Sequence, residues 1–470
     1  MSSTFQLHHH AIVMVPALLL AGVSSMYYYF GRREKGSMVQ RRRKPNNPTS
    51  DSNLTAHEQL IIRGTPMVKL QVLSKIIRRH VYVKMESLNP GGTGKDRAAL
   101  SMIRHAEALG LLPKQKIDKS RLHDLMLRTT ANGSATNHTA ENNGPSSKND
   151  ITDKRLEQMV LESIQTSRTG GLVVEGTSGS TGIALATLCA ARGHACLVVL
   201  PDDQAEEKQK ILRSLGAVVF EVPTAAISNP NHYVNLARKA ALLAQEKFQI
   251  SAVFTDQFEN EANYEIHYHQ TGPEIWYQLL EQTEGKRVVD AFVMSSGTGG
   301  TIAGVGNFLK EQNSSIKIVL VDPPGSSLYH KVEHGIAYAM QQSEQSLRKH
   351  RYDTLAEGIG LDRITRNFSM GLDSIDRAIR VTDQEAVDMA HWALKNEGLW
   401  MGSSSAMNLV GAIRVASDLP PDSNVVTMIC DAGQRHTTRF WNPAFVKERG
   451  LQWPTSDCIP ECLKSVLGDR

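Results

Sequence analysis

Cysteine is scarce in this chain: five in 470 residues, an odd number with no regular spacing. That excludes a disulfide framework and points to reduced thiols in a reducing compartment. Cys458 and Cys462 have Pro460 between them and no second ligand pair beside them, so no metal site is expected. A surplus of charge is missing as well. The formal net charge is +4, but seven basic residues against Glu34 put +6 between positions 31 and 44. Residues 1–30 contain no Asp, Glu, Lys or Arg, so −2 remains from Pro45 onward. A body without a basic surplus offers little to a nucleic acid, and no such partner is expected. No repeat of solenoid period is present.

The one long uncharged run is AIVMVPALLLAGVSSMYYYF at 11–30. Twenty such residues match the length of a membrane-crossing helix. The basic cluster follows the run, whereas a cleaved signal carries its charge first, and Tyr27, Tyr28 and Tyr29 mark an interface on that side. The expectation is an uncleaved transmembrane anchor at 11–30 with residues 1–10 across the membrane and the body in the cytosol; a cleaved or amphipathic presequence is the alternative, which a run without arginine or a polar stripe disfavours. The mitochondrial outer membrane is the expected location, with the endoplasmic reticulum as the alternative. Residues 31–55 read as a basic, flexible linker.

The remainder of the chain is long enough for two or three domains and a substantial core. From Leu60 onward, helical patterns alternate with short β-branched runs such as LVVL at 197–200 and KIVLV at 317–321, typical of buried parallel strands, so the fold class is α/β. The most informative stretch is ESLNPGGTGKDRAA at 86–99. VYVKM at 81–85 before it alternates as a strand, and RAALSMI at 97–103 has helical composition. A Gly/Pro turn therefore sets Lys95 at a helix N-terminus. There the helix dipole and a desolvating pocket disfavour the ammonium form and free the amine as a nucleophile able to form a Schiff base. A second loop between strand and helix, GTGGT at 297–301, can turn its amides and two hydroxyls on an anion such as a cofactor phosphate. A third, TSGSTG at 177–182, suits a carboxylate, or caps its helix with the same orphan amides.

The run NPGGTGKDR at 89–97 resembles the lysine motif of the pyridoxal-phosphate enzymes related to cysteine synthase and cystathionine beta-synthase. Four more blocks keep that family's order: GTPMVKL at 64–70, GTSGSTGIALA at 176–186, TGPEIW at 271–276 and SGTGGTIAG at 296–304. Collinear motifs across about 60–442 make the resemblance specific. It implies the two-domain open-sheet fold of the tryptophan synthase beta-subunit-like enzymes, fold type II, with pyridoxal 5'-phosphate in the cleft. The smaller α/β domain takes 56–79 and 91–256, the larger 80–90 and 257–450, and 451–470 is a C-terminal tail. An insertion at 113–168, poor in apolar residues at its middle, is expected to be mobile. A homodimer is implied too.

By the same resemblance Lys95 holds the cofactor and acts as the base that removes the substrate's α-proton. Gly297, Thr298, Gly299, Gly300 and Thr301 cup the phosphate, and Gly358 in EGIG at 357–360 lies against the cofactor. Thr177, Ser178, Gly179, Thr181 and Gln257 take the substrate carboxylate. Ser180 stands where most members have an asparagine beside the phenolic oxygen and reaches less far. In CDAGQRH at 430–436, Ala432 replaces the serine that meets the pyridine nitrogen; either the adjacent Asp431 approaches that nitrogen instead or the ring stays unprotonated. The implied activity is β-replacement on an activated serine such as O-acetylserine, with sulfide as the second substrate and L-cysteine as product. Relatives that act as dehydratases, desulfhydrases or cystathionine beta-synthases share these motifs. A catalytically silent, membrane-tethered scaffold is the alternative from another class; Ala432 and Ser180 favour it, and an intact Lys95 and 297–301 oppose it.

Overall fold

The computed structural model describes residues 54–114, 148–202, 204–286, 288–338, 354–455 and 458–468, all within the unit Leu54–Arg470. Its strands are β1 (Met67–Lys69), β2 (His80–Met85), β3 (Gly171–Gly176), β4 (Ala195–Pro201), β5 (Val218–Val222), β6 (Ser251–Phe254), β7 (Ala291–Ser295), β8 (Lys317–Asp322), β9 (Arg377–Arg380) and β10 (Asn424–Ile429). They form a six-stranded sheet in the order β1-β2-β10-β7-β8-β9 and a four-stranded sheet in the order β5-β4-β3-β6. Every pairing is parallel except the edge pair β1–β2.

Successive side chains of a strand point to opposite faces, so an unbroken apolar run needs cover on both. In the four-stranded sheet Val173, Val198 and Val219 enter one apolar cluster, and Leu172, Val174, Leu197 and Phe220 enter another. In the six-stranded sheet Val81, Val293 and Val425 face one way, and Tyr82, Phe292, Met294 and Val426 the other. Helices therefore cover both faces of each sheet, which is the expected α/β architecture. The loops that leave the C-terminal ends of β2, β3, β7 and β10 are the segments that the motifs occupy, as ligand sites in open α/β sheets require.

Several expectations change. The sequence places 56–79 in the smaller domain; Ile61 of the helix Ala56–Arg63 does pack in a cluster of the four-stranded sheet, but β1 pairs with β2, and Leu73 and Ile77 of the helix Gln71–Ile77 are buried in the core of the six-stranded sheet. The insertion is shorter than 113–168, because Lys148–Ile164 is a helix whose Leu156, Val160 and Ile164 recur every fourth residue and are buried against the four-stranded sheet. Residues 115–147 lie outside the described residues. The segment 451–470 is no free tail, since Cys462 and Leu463 of the helix Glu461–Gly468 are buried in the large core with Leu451 and Trp453 packed against it. Residues 11–30, read as an anchor, also lie outside the described residues. Among those described, no helix is long and apolar enough to cross a membrane.

The helix Lys95–Ala108 is locked to its surroundings by a buried ion cluster. Arg97 is fully buried. Its guanidinium bonds both oxygens of Glu86, each at 2.8 Å, and both oxygens of Glu274, at 2.7 and 2.8 Å. Lys84 of β2 adds a 2.6 Å contact to Glu274, and the Thr65 hydroxyl donates to Glu86 at 2.7 Å. Two cations and two carboxylates leave the cluster neutral. Breaking one partner out of a buried ion pair costs about 3–5 kcal/mol because the other charge stays buried. Arg97→Ala should lower unfolding stability by about that amount in denaturant titrations, and an unchanged midpoint would show that the cluster does not hold the helix.

Candidate active site

Lys95 is the first residue of its helix, and the turn before it is pinned to the end of β10. Gly94 N–H donates to Cys430 O at 3.4 Å, and Thr93 bridges Asp431. The lysine opens into a cleft of about 710 Å³. Its amine makes no hydrogen bond or ion pair among the described residues. Burial holds the amine below its ordinary pKa, against the opposing pull of Cys430 and Asp431. Burial and the neighbouring Asp431 push the Cys430 thiol up to about 11, so it stays neutral.

Facing Lys95 is the loop after β7. Gly299 takes a left-handed conformation, φ +90°, and a Cβ there would lie 2.5 Å from Phe368. A Cβ on Gly297 would lie 2.2 Å from the Gly358 carbonyl oxygen. Both positions therefore need glycine. The amides of Gly297, Thr298 and Gly299 have no acceptor among the described residues, and those of Gly300, Thr301 and Ile302 open the helix Gly300–Gln312, where no intrahelical acceptor exists. The Ser295 and Ser296 hydroxyls are buried without partners. Unsatisfied buried donors at a helix N-terminus fit a phosphate. The Thr298 hydroxyl accepts from Asn263 at 2.9 Å and keeps its own proton for a ligand, while the Thr301 hydroxyl shares the His267 ring at 3.1 Å.

The loop after β3 supplies a second set. The amides of Ser178, Ser180 and Thr181 lie at the start of the helix Ser180–Arg192 without acceptors among the described residues. Thr177 accepts from Gly179 N–H at 3.2 Å, and the Thr181 hydroxyl donates to Gln257 Oε1 at 2.5 Å. These amides can hold a carboxylate.

Thus one cleft gathers Lys95, Thr177, Ser178, Ser180, Thr181, Gln257, Gly297, Thr298, Gly299, Thr301, Gly358 and Asp431. Gly179, Gly300 and Ala432 stand behind its walls. A Cβ on Gly179 would strike Lys208 and one on Gly300 would strike Asn263, while Ala432 pairs with Met401. Asp431 therefore lines the cleft and Ala432 does not. Asp431 Oδ2 meets His436 Nε2 at 2.9 Å, and its buried Oδ1 has no partner. Burial alone would raise the Asp431 carboxyl, but His436, Lys208 and Arg435 hold it below the usual carboxylate range.

Sequence reasoning misses a chain of charges in this wall. Lys208, 2 % exposed, pairs with Glu357, which also meets Arg439 at 3.3 Å and His436 at 3.6 Å. His436 is within reach because it closes the CDAGQRH block. Lys208 carries no signal, since EEKQK at 206–210 has the composition of a solvated helix face.

The family model for pyridoxal-phosphate dependent enzymes matches residues 58–120 and 151–431, resuming at the helix that shortens the insertion. The "Putative mitochondrial cysteine synthase" of Saccharomyces cerevisiae is 42% identical over 386 residues, covering 82% of this chain and 83% of that protein. "Cysteine synthase 2" of Schizosaccharomyces pombe is 39% identical over 401 residues, covering 84% and 86%. The crystal structure of the O-acetylserine dependent cystathionine beta-synthase from Helicobacter pylori superposes with a TM-score of 0.58 at 26% identity, covering 82% of this chain and 98% of that one. The yeast relative, named a mitochondrial cysteine synthase, overturns the expected placement in the mitochondrial outer membrane with a cytosolic body. The run at 11–30 is broken by Pro16, Gly22, Ser24 and Ser25, which weakens it as a span. With the motif blocks, the free amine and the two amide sets in one cleft, the chain belongs to the pyridoxal-phosphate dependent enzymes, in the branch that holds the cysteine synthases.

Proposed function

We propose that this protein makes L-cysteine by β-replacement, from an activated serine such as O-acetylserine and from sulfide. The observation that carries the reading is the unpartnered Lys95 amine between two sets of unsatisfied amides, one suited to a phosphate and one to a carboxylate. Pyridoxal phosphate, when bound, supplies an electron sink for the charge that develops at the substrate's α-carbon. Lys95 Nζ holds the cofactor and afterwards takes the α-proton, a role that suits an amine whose charged form burial disfavours. The amides of Ser178, Ser180 and Thr181 orient the substrate carboxylate, and the 297–301 loop binds the phosphate. Asp431, kept ionised by His436, sets a negative charge in the cofactor's wall in place of the hydroxyl that Ala432 lacks.

Purified protein supplied with O-acetylserine and sulfide should form cysteine. Pyruvate and ammonia as the main products, or cystathionine from homocysteine at a higher rate, would move the reaction to a neighbouring branch. Lys95→Ala should lose about 10²–10⁴-fold in rate, the range for a positioned general base, along with the covalent attachment. Borohydride reduction and peptide mapping locate that attachment, and a label on another lysine would refute the assignment. Gly297→Ala would drive a methyl into the Gly358 carbonyl and disturb the phosphate loop. Losing one charge-assisted hydrogen bond there, about 1.5–3 kcal/mol, should weaken cofactor retention by roughly 10–100-fold with far-UV circular dichroism unchanged. Full cofactor content after dialysis would mean that the loop does not bind the phosphate.

A further inference from the structure

Glu175 is a fully buried acid at the end of β3, beneath the cleft, and the proposed reaction does not use it. Its Oε2 accepts from Gln257 N–H at 3.3 Å and lies against the Thr255 hydroxyl, and its Oε1 accepts from Gln257 Nε2 at 3.4 Å. Gln257 Nε2 also donates to Gly176 O at 3.2 Å. These two acceptors claim both hydrogens of the Gln257 amide, so its oxygen must face the other way, and there it meets Thr181 at 2.5 Å. A carbonyl oxygen only accepts, so the Thr181 hydroxyl must donate to it. Were the Glu175 acceptors lost, the amide could turn over, and Thr181 would have to turn with it.

We propose that Glu175 is a positioning residue for amino-acid binding: through Gln257 it fixes the Thr181 side chain at the mouth of the helix whose amides take the substrate carboxylate. Gln257, itself a lining residue of the cleft, then serves the carboxylate by holding Thr181. No cation contacts Glu175 among the described residues, and burial pushes its carboxyl up to about 8 in spite of the Thr255 hydrogen bond. It can therefore sit in the core without a counter-charge.

The inference rests on the carboxylate reading of the 177–181 loop. The test is a double-mutant cycle of Glu175→Met and Gln257→Ala in the cofactor-loaded enzyme. Amino-acid binding is read from the absorbance of the bound cofactor titrated with O-acetylserine and with L-serine, beside KM, kcat and cofactor content. Each single variant should weaken binding and raise KM about 10-fold, with kcat within about twofold and cofactor content intact. The double variant should be no worse than either single one. Should Glu175→Met not fold, Glu175→Gln keeps the shape and one acceptor, and the same cycle should show an effect of about threefold, again without addition. Unchanged binding in the Glu175 variants, or losses that multiply in the double variant, would overturn the proposal. Binding that responds to Glu175 in an enzyme forming no cysteine would leave the proposal standing and reject cysteine synthesis instead.

Discussion

The buried guanidinium of Arg97 is the constraint on which the rest depends. It stands two residues after Lys95 on the same helix and grips Glu86, just past β2, and Glu274, on the helix Gly272–Gln282. Taking four charges out of water is expensive, and the attraction among them offsets that cost only when every oxygen and hydrogen finds a partner. Here every nitrogen and every carboxylate oxygen of the four charged groups has a partner. Burial would raise the Glu86 carboxyl, yet Arg97 and Lys84 draw it down to about 2, so it remains charged throughout the physiological range. Gly64 is glycine for the same reason, as a Cβ there would lie 2.5 Å from the Glu274 carboxyl carbon. The cluster joins segments distant in sequence, and it fixes the direction in which the first turn of the Lys95 helix points.

That arrangement explains why the site needs so few specialised side chains. Lys95 aside, the binding capacity lies in backbone amides at the starts of two helices, which the sheets set facing one cleft. Amides cannot be tuned by substitution, so their accuracy comes from packing: Gly297 against Gly358, Gly299 against Phe368, Gly179 against Lys208. The Lys208–Glu357 pair adds a different kind of control, since Lys208 belongs to the helix Glu206–Ser214 beside the four-stranded sheet and Glu357 to the loop that leads past Gly360. Burial works against the Glu357 charge, and Lys208, His436 and Arg439 together restore it. A pair so placed ties the 177–182 loop, which Lys208 also touches at Ser178 O, to the wall that carries Asp431.

These features differ in how legible they are in the sequence. Glycines and Lys95 can be read because loops that leave strands and open helices leave local, ordered traces: apolar run, glycine, hydroxyl, small residues. The blocks GTPMVKL and TGPEIW are legible as text, but their purpose is not, because Gly64, Arg97 and Glu274 come together only in the folded chain. β1 escapes assignment for a related reason: three residues of an edge strand declare neither sheet, and its partner β2 decides. The helix Lys148–Ile164 begins in a polar stretch, and its fourth-residue stripe of Leu156, Val160 and Ile164 is short enough to pass as chance. Lys208 and Glu357 are the least legible of all, since long charged side chains are ordinarily solvated and only a tertiary partner makes their burial tolerable.

The replacement of a serine by Ala432 gains meaning in this setting. If the ring nitrogen's environment were built around that hydroxyl alone, its loss would leave a neutral wall. The chain instead keeps a carboxylate one residue earlier, buried, ionised by His436 and with one oxygen unpartnered. His436 in turn reaches Glu357, and Glu357 reaches Lys208. Two carboxylates thus alternate with an imidazole and an ammonium group, so no single charge in the wall is left to bear its burial alone. A wall organised in that way can hold an anion beside the cofactor site that an isolated aspartate in the same burial could not sustain.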